Sequence, residues 1–161
     1  MRSGIEDKVA IVTGAGKGVG QGIALALARA GARVMLAGRT RVTLEQAQAR
    51  IAAVGGVAVV VEADVGSPAG IAVIVDATLI AFGGVDILVN NAQDAVLAPI
   101  LDIDEEGLMR TFQTGPFATF RLMKAVQPHM KRRGGGAIIN LASSAAVSWD
   151  MNGTAAYSAS K

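Results

Sequence analysis

The chain is predicted to fold as an α/β protein, a doubly wound parallel sheet with strand order 3-2-1-4-5 and helices on both faces. Three observations predict it. Short continuous apolar runs recur along the sequence, as expected of strands buried on both faces. Helix-length segments separate those runs. The first run, Val9 to Val12, breaks into a glycine-rich turn that opens a helix, Thr13-Gly14-Ala15-Gly16-Lys17-Gly18-Val19-Gly20. The chain has 161 residues, 52% of them hydrophobic and 17% charged. That length and composition suit one domain over residues 1–161, with a sheet covered on both sides.

The elements follow in order. After the glycine turn, Ile23 to Ala30 reads as a helix, stopped by Gly31. Ala32 to Ala37 reads as the second strand and ends in Gly38-Arg39-Thr40. A helix from Thr43 to Val54 leads through Gly55-Gly56 to a third strand, Val57 to Val61, and then to Asp64-Val65. Ser67-Pro68 places an N-cap before a proline at the first helical position, so a helix is expected from there to Phe82. The fourth strand, Val85 to Val89, ends in Asn90-Asn91-Ala92-Gln93, where side-chain amides can tie strands together or reach a ligand. Asp102 to Glu106 puts negative charge at a helix start. A longer helix runs from Phe117 to Arg133, with Pro128 expected to kink or weaken its last turn. Gly134-Gly135-Gly136 ends it, and Ala137 to Leu141 forms the fifth strand, leading into Ala142-Ser143-Ser144. Right-handed βαβ crossovers then give the predicted strand order.

The glycine turn has the geometry of an anion site. Without Cβ atoms, backbone N–H groups can approach a phosphate, and the helix dipole favours negative charge there. The spacing is Thr-Gly-x-x-x-Gly-x-Gly and lacks the Gly-Lys-Ser/Thr ending of a P-loop. The same residues also fit a tight strand-to-helix turn in a chain with 20 glycines. At the end of the second strand, where dinucleotide folds often place an acidic residue on the adenosine ribose, this chain has Gly38 and Arg39. A guanidinium pairs bidentately with a 2′-phosphate. With Lys17 adding charge in the turn, the residues point to NADP(H) over NAD(H); otherwise Arg39 is one more solvated loop charge. Asp64 lies at a strand's carboxyl end, where ligands of open α/β sheets bind, though it also suits a loop cap.

Composition excludes other chemistries. There is no Cys and one His, so neither a disulfide framework nor a zinc centre is expected. No apolar stretch approaches about 20 residues, and Met1 to Lys8 is too polar for a signal peptide. The expectation is a cytoplasmic protein with no membrane and no nucleic-acid partner, Lys131-Arg132-Arg133 being read as a helix C-terminus. His129 has no carboxylate or nucleophile close in sequence and reads as a surface residue.

The last residues are Tyr157-Ser158-Ala159-Ser160-Lys161, and on a helix Tyr157 and Lys161 share a face. A free phenol has a pKa near 10, so proton exchange at neutral pH needs about 4 kcal/mol of differential stabilisation. A nearby ammonium supplies part of it. Ser144 could hydrogen-bond a substrate oxygen that gains charge. The pair is equally compatible with an incidental i,i+4 spacing at a helix start.

Together these residues make the chain resemble the short-chain dehydrogenase/reductase family, from Lys8 to the last residue. Thr13-Gly14-x-x-x-Gly18-Val19-Gly20 is similar to its cofactor turn, Asp64-Val65 to its adenine pair, Asn90-Asn91-Ala92 to its fourth-strand motif, and Ser144 with Tyr157-x-x-x-Lys161 to its catalytic set. The resemblance implies a Rossmann-type fold and an NADP(H)-dependent oxidoreductase acting on a small carbonyl or alcohol. It implies Tyr157 as general acid or base, Ser144 orienting the substrate oxygen, and Lys161 binding the nicotinamide ribose and biasing Tyr157. It further implies Gly14, Lys17, Gly18, Val19 and Gly20 at the pyrophosphate end, Arg39 at the 2′-phosphate, Asp64 and Val65 at the adenine, and Asn91 and Ala92 at the ribose nearer the nicotinamide. A homo-oligomer, dimer or tetramer, is expected by the same resemblance.

Three features depart from the family. Gln93 stands where it usually has glycine, and Phe112 where it usually has a catalytic asparagine. The chain stops at the lysine, so the last strands of the family fold and much of the substrate loop are expected to be missing. These departures are what an impaired nucleotide-binding or regulatory module would show. A purely structural partner, the third alternative, would bind no nucleotide.

Overall fold

The computed structural model describes residues 4–147 and 153–161. Five parallel strands, β1 (Val9–Thr13), β2 (Arg33–Gly38), β3 (Val57–Glu62), β4 (Ile87–Asn90) and β5 (Ala137–Asn140), form one sheet in the order β3-β2-β1-β4-β5. The helices are α1 (Gly18–Arg29), α2 (Arg41–Ala52), α3 (Pro68–Phe82), α4 (Glu105–Phe112), α5 (Ala118–Arg132) and α6 (Ala155–Ala159). The predicted order is the observed one.

The central strand explains the apolar runs. All five residues of β1 are buried, and it pairs with β2 from Val9↔Arg33 to Thr13↔Ala37 and with β4 from Ala10↔Ile87 to Val12↔Val89. Alternation sends Ile11 into one core with Met35, Leu88, Ile74 and Leu122. Ala10 and Val12 enter the other, with Ala24, Leu36 and Leu44. Neither face meets water, so neither needs a polar residue.

Helix ends follow local chemistry where side chains can cap. Ser67 Oγ accepts from Gly70 N at 2.9 Å, Pro68 is the first helical residue, and Gly83 ends α3 at φ +78°. Asp104 caps α4 by accepting from Gly107 N at 2.8 Å, with Glu105 and Glu106 in the first turn. Two expectations are corrected. Helix α1 begins at Gly18 rather than Ile23, because Gly20, Ala24 and Ala28 form the small buried face that lets it close on β1. Pro128 does not break α5, which continues regularly to Arg132. Pro128 and Lys124 both lie on an exposed part of the helix, so the carbonyl that loses its amide partner can meet solvent. The real interruption comes earlier, in the π-turn Gln113–Phe117, where Gly115 takes φ −92° and ψ −108° ahead of Pro116.

β5 forms the sheet edge, with Ile138 and Ile139 partly exposed. At the opposite end from the strands' carboxyl termini, Asp86 joins three elements and is only 5% exposed. Its carboxylate accepts from Val9 N and from Arg133 Nε, each at 2.8 Å, with Lys8 Nζ at 3.7 Å. Burial pushes the carboxyl upward, but the bonds from Arg133 and Val9 and the nearby positive charges hold it below its ordinary 3.8. A depressed carboxyl stabilises the fold above its unfolded pKa and loses that contribution as pH falls through the folded value. Asp86→Asn is therefore expected to lower stability by about 2–4 kcal/mol at pH 7. In urea titrations, the gap from the wild-type protein should narrow as the pH drops below that ordinary value.

Candidate active site

The carboxyl ends of the strands line a crevice of about 500 Å³. Its floor is the turn after β1. Gly14 adopts φ +65° and Gly18 φ +55°, a region costly for any residue with a Cβ. At Gly20 a Cβ would lie 2.4 Å from the Gly14 carbonyl oxygen and 2.5 Å from Asn91 Nδ2. Helix α1 packs against this turn because no side chain stands between them. Lys17 is its N-cap residue and makes no side-chain capping bond, unlike Ser67 and Asp104. The first-turn amides of α1 are thus left without a side-chain cap.

Behind the turn, Thr13 and Asn91 stitch β1 to the segment after β4. The buried Thr13 hydroxyl accepts from Asn91 N and Ala92 N, both at 3.0 Å, and donates to the Val89 carbonyl at 3.3 Å. Asn91 Nδ2 donates to the Thr13 carbonyl at 2.8 Å. One residue earlier, Asn90 Nδ2 donates to Asn140 Oδ1 at 2.9 Å and ties β4 to β5. Both amides therefore hold strands together. In the sequence Thr13 is marked only as part of a motif, because its partners are 76 to 79 positions away.

The crevice brings together Gly14, Lys17, Gly18, Val19 and Gly20 of the turn with Arg39, Asp64, Val65, Asn91 and Ala92. Asp64 Oδ1 accepts from Gly66 N at 2.9 Å, and Val65 packs into the core, so both have structural work at the rim. Arg39 reaches across the crevice, its Nη1 2.9 Å from Asp94 Oδ2. Arg39 leaves β2 and Asp94 follows β4, with β1 between them in the sheet. Reading the residues did not find Asp94, because nothing local marks a partner 55 positions from Arg39. Thr114 holds the segment in place, its Oγ1 accepting from Asp94 N at 2.9 Å.

A second cavity of about 230 Å³ continues along the same edge between β4, β5 and the π-turn. Ser160 and Lys161 line it, and Ala92 and Gln93 line both cavities. Ser144 opens a 3₁₀ turn, Ser144–Ala146, just past β5, and the α6 turn carrying Tyr157 packs against it. Lys161 Nζ donates to the Leu141 carbonyl at 2.8 Å and lies 5.5 Å from the centre of the Tyr157 ring. Lys161 itself falls one residue past the Ser160 C-cap of α6. Phe112 packs edge-on against Phe117, ring centres 6.0 Å apart, and offers no polar atom. Among the described residues, no group of three His, Cys, Asp or Glu side chains could hold a metal ion, and no helix is long and apolar enough to cross a membrane.

Comparison with known proteins gives the family. The short chain dehydrogenase family pattern matches residues 8–161. Among curated relatives, the fatty acyl-CoA reductase of Acinetobacter baylyi is 35% identical over 162 residues, covering 99% of this chain and 55% of the relative. Among solved structures, the L-sorbose reductase of Gluconobacter frateurii, complexed with NADPH and L-sorbose, is 34% identical with a TM-score of 0.94, over 99% of this chain and 61% of the other. An NAD+-bound xylitol dehydrogenase is 34% identical with a TM-score of 0.90, over 98% of this chain and 60% of the other. The chain spans about half the length of the curated relatives it matches.

Proposed function

Because the chain belongs to the short-chain dehydrogenase family, a family of oxidoreductases, we propose that it serves an NADP(H)-dependent enzyme that moves hydride between nicotinamide and a small carbonyl or secondary alcohol. One observation carries the reading: the glycine turn and the Tyr157–Lys161 turn open on the same carboxyl edge of one parallel sheet. The residues fit the dinucleotide. The uncapped first turn of α1 suits its pyrophosphate, and Gly20 keeps that turn free of a Cβ. Gly14, Gly18 and Val19 line the same floor, Asp64 and Val65 the adenine end, and Asn91 and Ala92 the way toward the nicotinamide ribose.

When bound, the dinucleotide supplies or accepts the hydride, and the protein positions and polarises. Ser144 holds the substrate oxygen by its hydroxyl, and Tyr157 gives that oxygen its proton in reduction or removes it in oxidation. Lys161, fixed to the Leu141 carbonyl, sets a positive charge 5.5 Å from the centre of the Tyr157 ring. Turnover of NADPH with a panel of ketones by the native-length protein tests this. Binding without turnover would instead mark a nucleotide-binding module.

Arg39 carries the preference for NADP(H), with Lys17 adding positive charge in the turn. Its guanidinium already binds a carboxylate oxygen of Asp94, and a 2′-phosphate presents more charge and more acceptors. Arg39→Ala is expected to weaken NADPH about 30-fold and NADH less than about threefold, measured by nucleotide fluorescence titration. An equal loss for both would show that Arg39 does not read the 2′-phosphate. A cytoplasmic homo-oligomer belongs to the same proposal; Phe117 at the end of the π-turn and Phe120 on α5 leave exposed apolar surface for pairing.

A further inference from the structure

Gln93 is polar where the resemblance leads one to expect glycine, and its side chain extends into the junction between the crevice and the second cavity. Its Nε2 donates to Ser160 Oγ. Ser160 Oγ in turn donates to the Tyr157 carbonyl at 2.8 Å. Because the Ser160 hydroxyl proton is committed to Tyr157, its lone pair must receive an N–H, which fixes the orientation of the Gln93 amide. The result is a directed chain of bonds from the end of β4 to the backbone of Tyr157.

The neighbouring backbone makes room for that amide. A Cβ on Gly115 would lie 2.9 Å from Gln93 Nε2, so only a glycine in the π-turn leaves the space open. The other half of the amide, Gln93 Oε1, is buried without a hydrogen-bond partner among the described residues. Holding it there has a net cost that a glycine at position 93 would avoid. Helix α6, Ala155–Ala159, carries Tyr157. Just past it, Ser160 bonds Gln93 after β4 and Lys161 bonds the Leu141 carbonyl after β5.

The geometry points to Gln93 as a positioning residue that, through Ser160, holds the Tyr157 turn in register with the substrate oxygen. This rests on the proposed oxidoreductase reading. Removing either partner lets the turn shift while leaving the glycine cradle intact, so chemistry suffers and dinucleotide binding does not.

The test is a double-mutant cycle with Gln93→Ala and Ser160→Ala in the native-length protein, read by kcat with a reactive ketone, NADPH Kd, and hydrogen exchange of residues 155–161 in the nucleotide-free protein. Each single variant is expected to lower kcat about tenfold with NADPH Kd changed less than about threefold, and the double variant to be no slower than either single one. Exchange over 155–161 should quicken equally in all three. Gln93→Gly supplies a second variant for the same site with the same expected result. Unchanged kcat, losses that multiply in the double variant, or unaltered exchange would overturn the assignment. Absence of turnover in the wild-type protein would overturn the oxidoreductase reading instead, and hydrogen exchange would then decide the tie alone.

Discussion

Tyr157→Phe is expected to reduce turnover about 10³-fold while NADPH binding stays within a few-fold. The substitution removes one oxygen and keeps the ring, so the packing of α6 against the turn after β5 and the approach of Lys161 Nζ to the ring, 5.5 Å, survive. On the proposed function, what disappears is the group that exchanges the substrate's proton, and positioned acid–base groups contribute about 10²–10⁴ in rate. Dinucleotide binding is expected to survive because the glycine turn follows β1, which β4 separates from β5 in the sheet. Steady-state rates and a binding titration on the same preparation separate the two effects. A variant with undiminished turnover would remove Tyr157 from the chemistry.

The second large effect is expected at Gly20. An alanine Cβ there would lie 2.4 Å from the Gly14 carbonyl oxygen and 2.5 Å from Asn91 Nδ2, and neither belongs to a flexible side-chain end that can swing away without loss. Either α1 lifts off β1 or Asn91 releases the Thr13 carbonyl. Gly20→Ala should cost about 1–3 kcal/mol in stability, as overpacking of a closed interior does, and weaken NADPH about 100-fold by displacing the first-turn amides. Gly22 is the matching control in the same helix. It is exposed, with nothing within 4 Å of a Cβ and no positive φ, so Gly22→Ala should stabilise the protein by about 0.5–1 kcal/mol. Thermal unfolding and NADPH titration of both variants check the contrast. Similar behaviour of the two would mean that close approach of α1 to β1 is not what the turn requires.

What the residues disclosed in advance was the part set by local chemistry and periodicity. Buried strands produce apolar runs, and the pair Ser67-Pro68 announces the start of α3 by a capping bond three residues long. The strand order followed from the rule on crossover handedness, applied to that alternation. Where the reading fell short, the cause was long-range partnership or a conflict of propensities. Helix α1 started late in the sequence reading because Gly18, Gly20 and Gly22 look non-helical until the close contact with β1 is known. Pro128 drew attention as a breaker, yet the break is the π-turn around Gly115, whose unusual backbone serves an amide arriving from position 93. The partners of Asn91 and Arg39 lie at Thr13 and Asp94, distances along the chain that no local pattern spans. The expected cofactor residues from Gly14 to Ala92 line one crevice, which Ser144 and Tyr157 do not line, and only the hydrogen bonds show that Asn91 ties strands together.

A crystal structure of the native-length protein with NADP+ tests the central claim most directly. The account predicts the pyrophosphate against the backbone amides at the start of α1, the 2′-phosphate on Arg39 in place of Asp94, and the nicotinamide ring at the end of β4 within hydride-transfer reach of a carbonyl held by Ser144 and Tyr157. A dinucleotide bound elsewhere, or one whose nicotinamide points away from Tyr157, would contradict it.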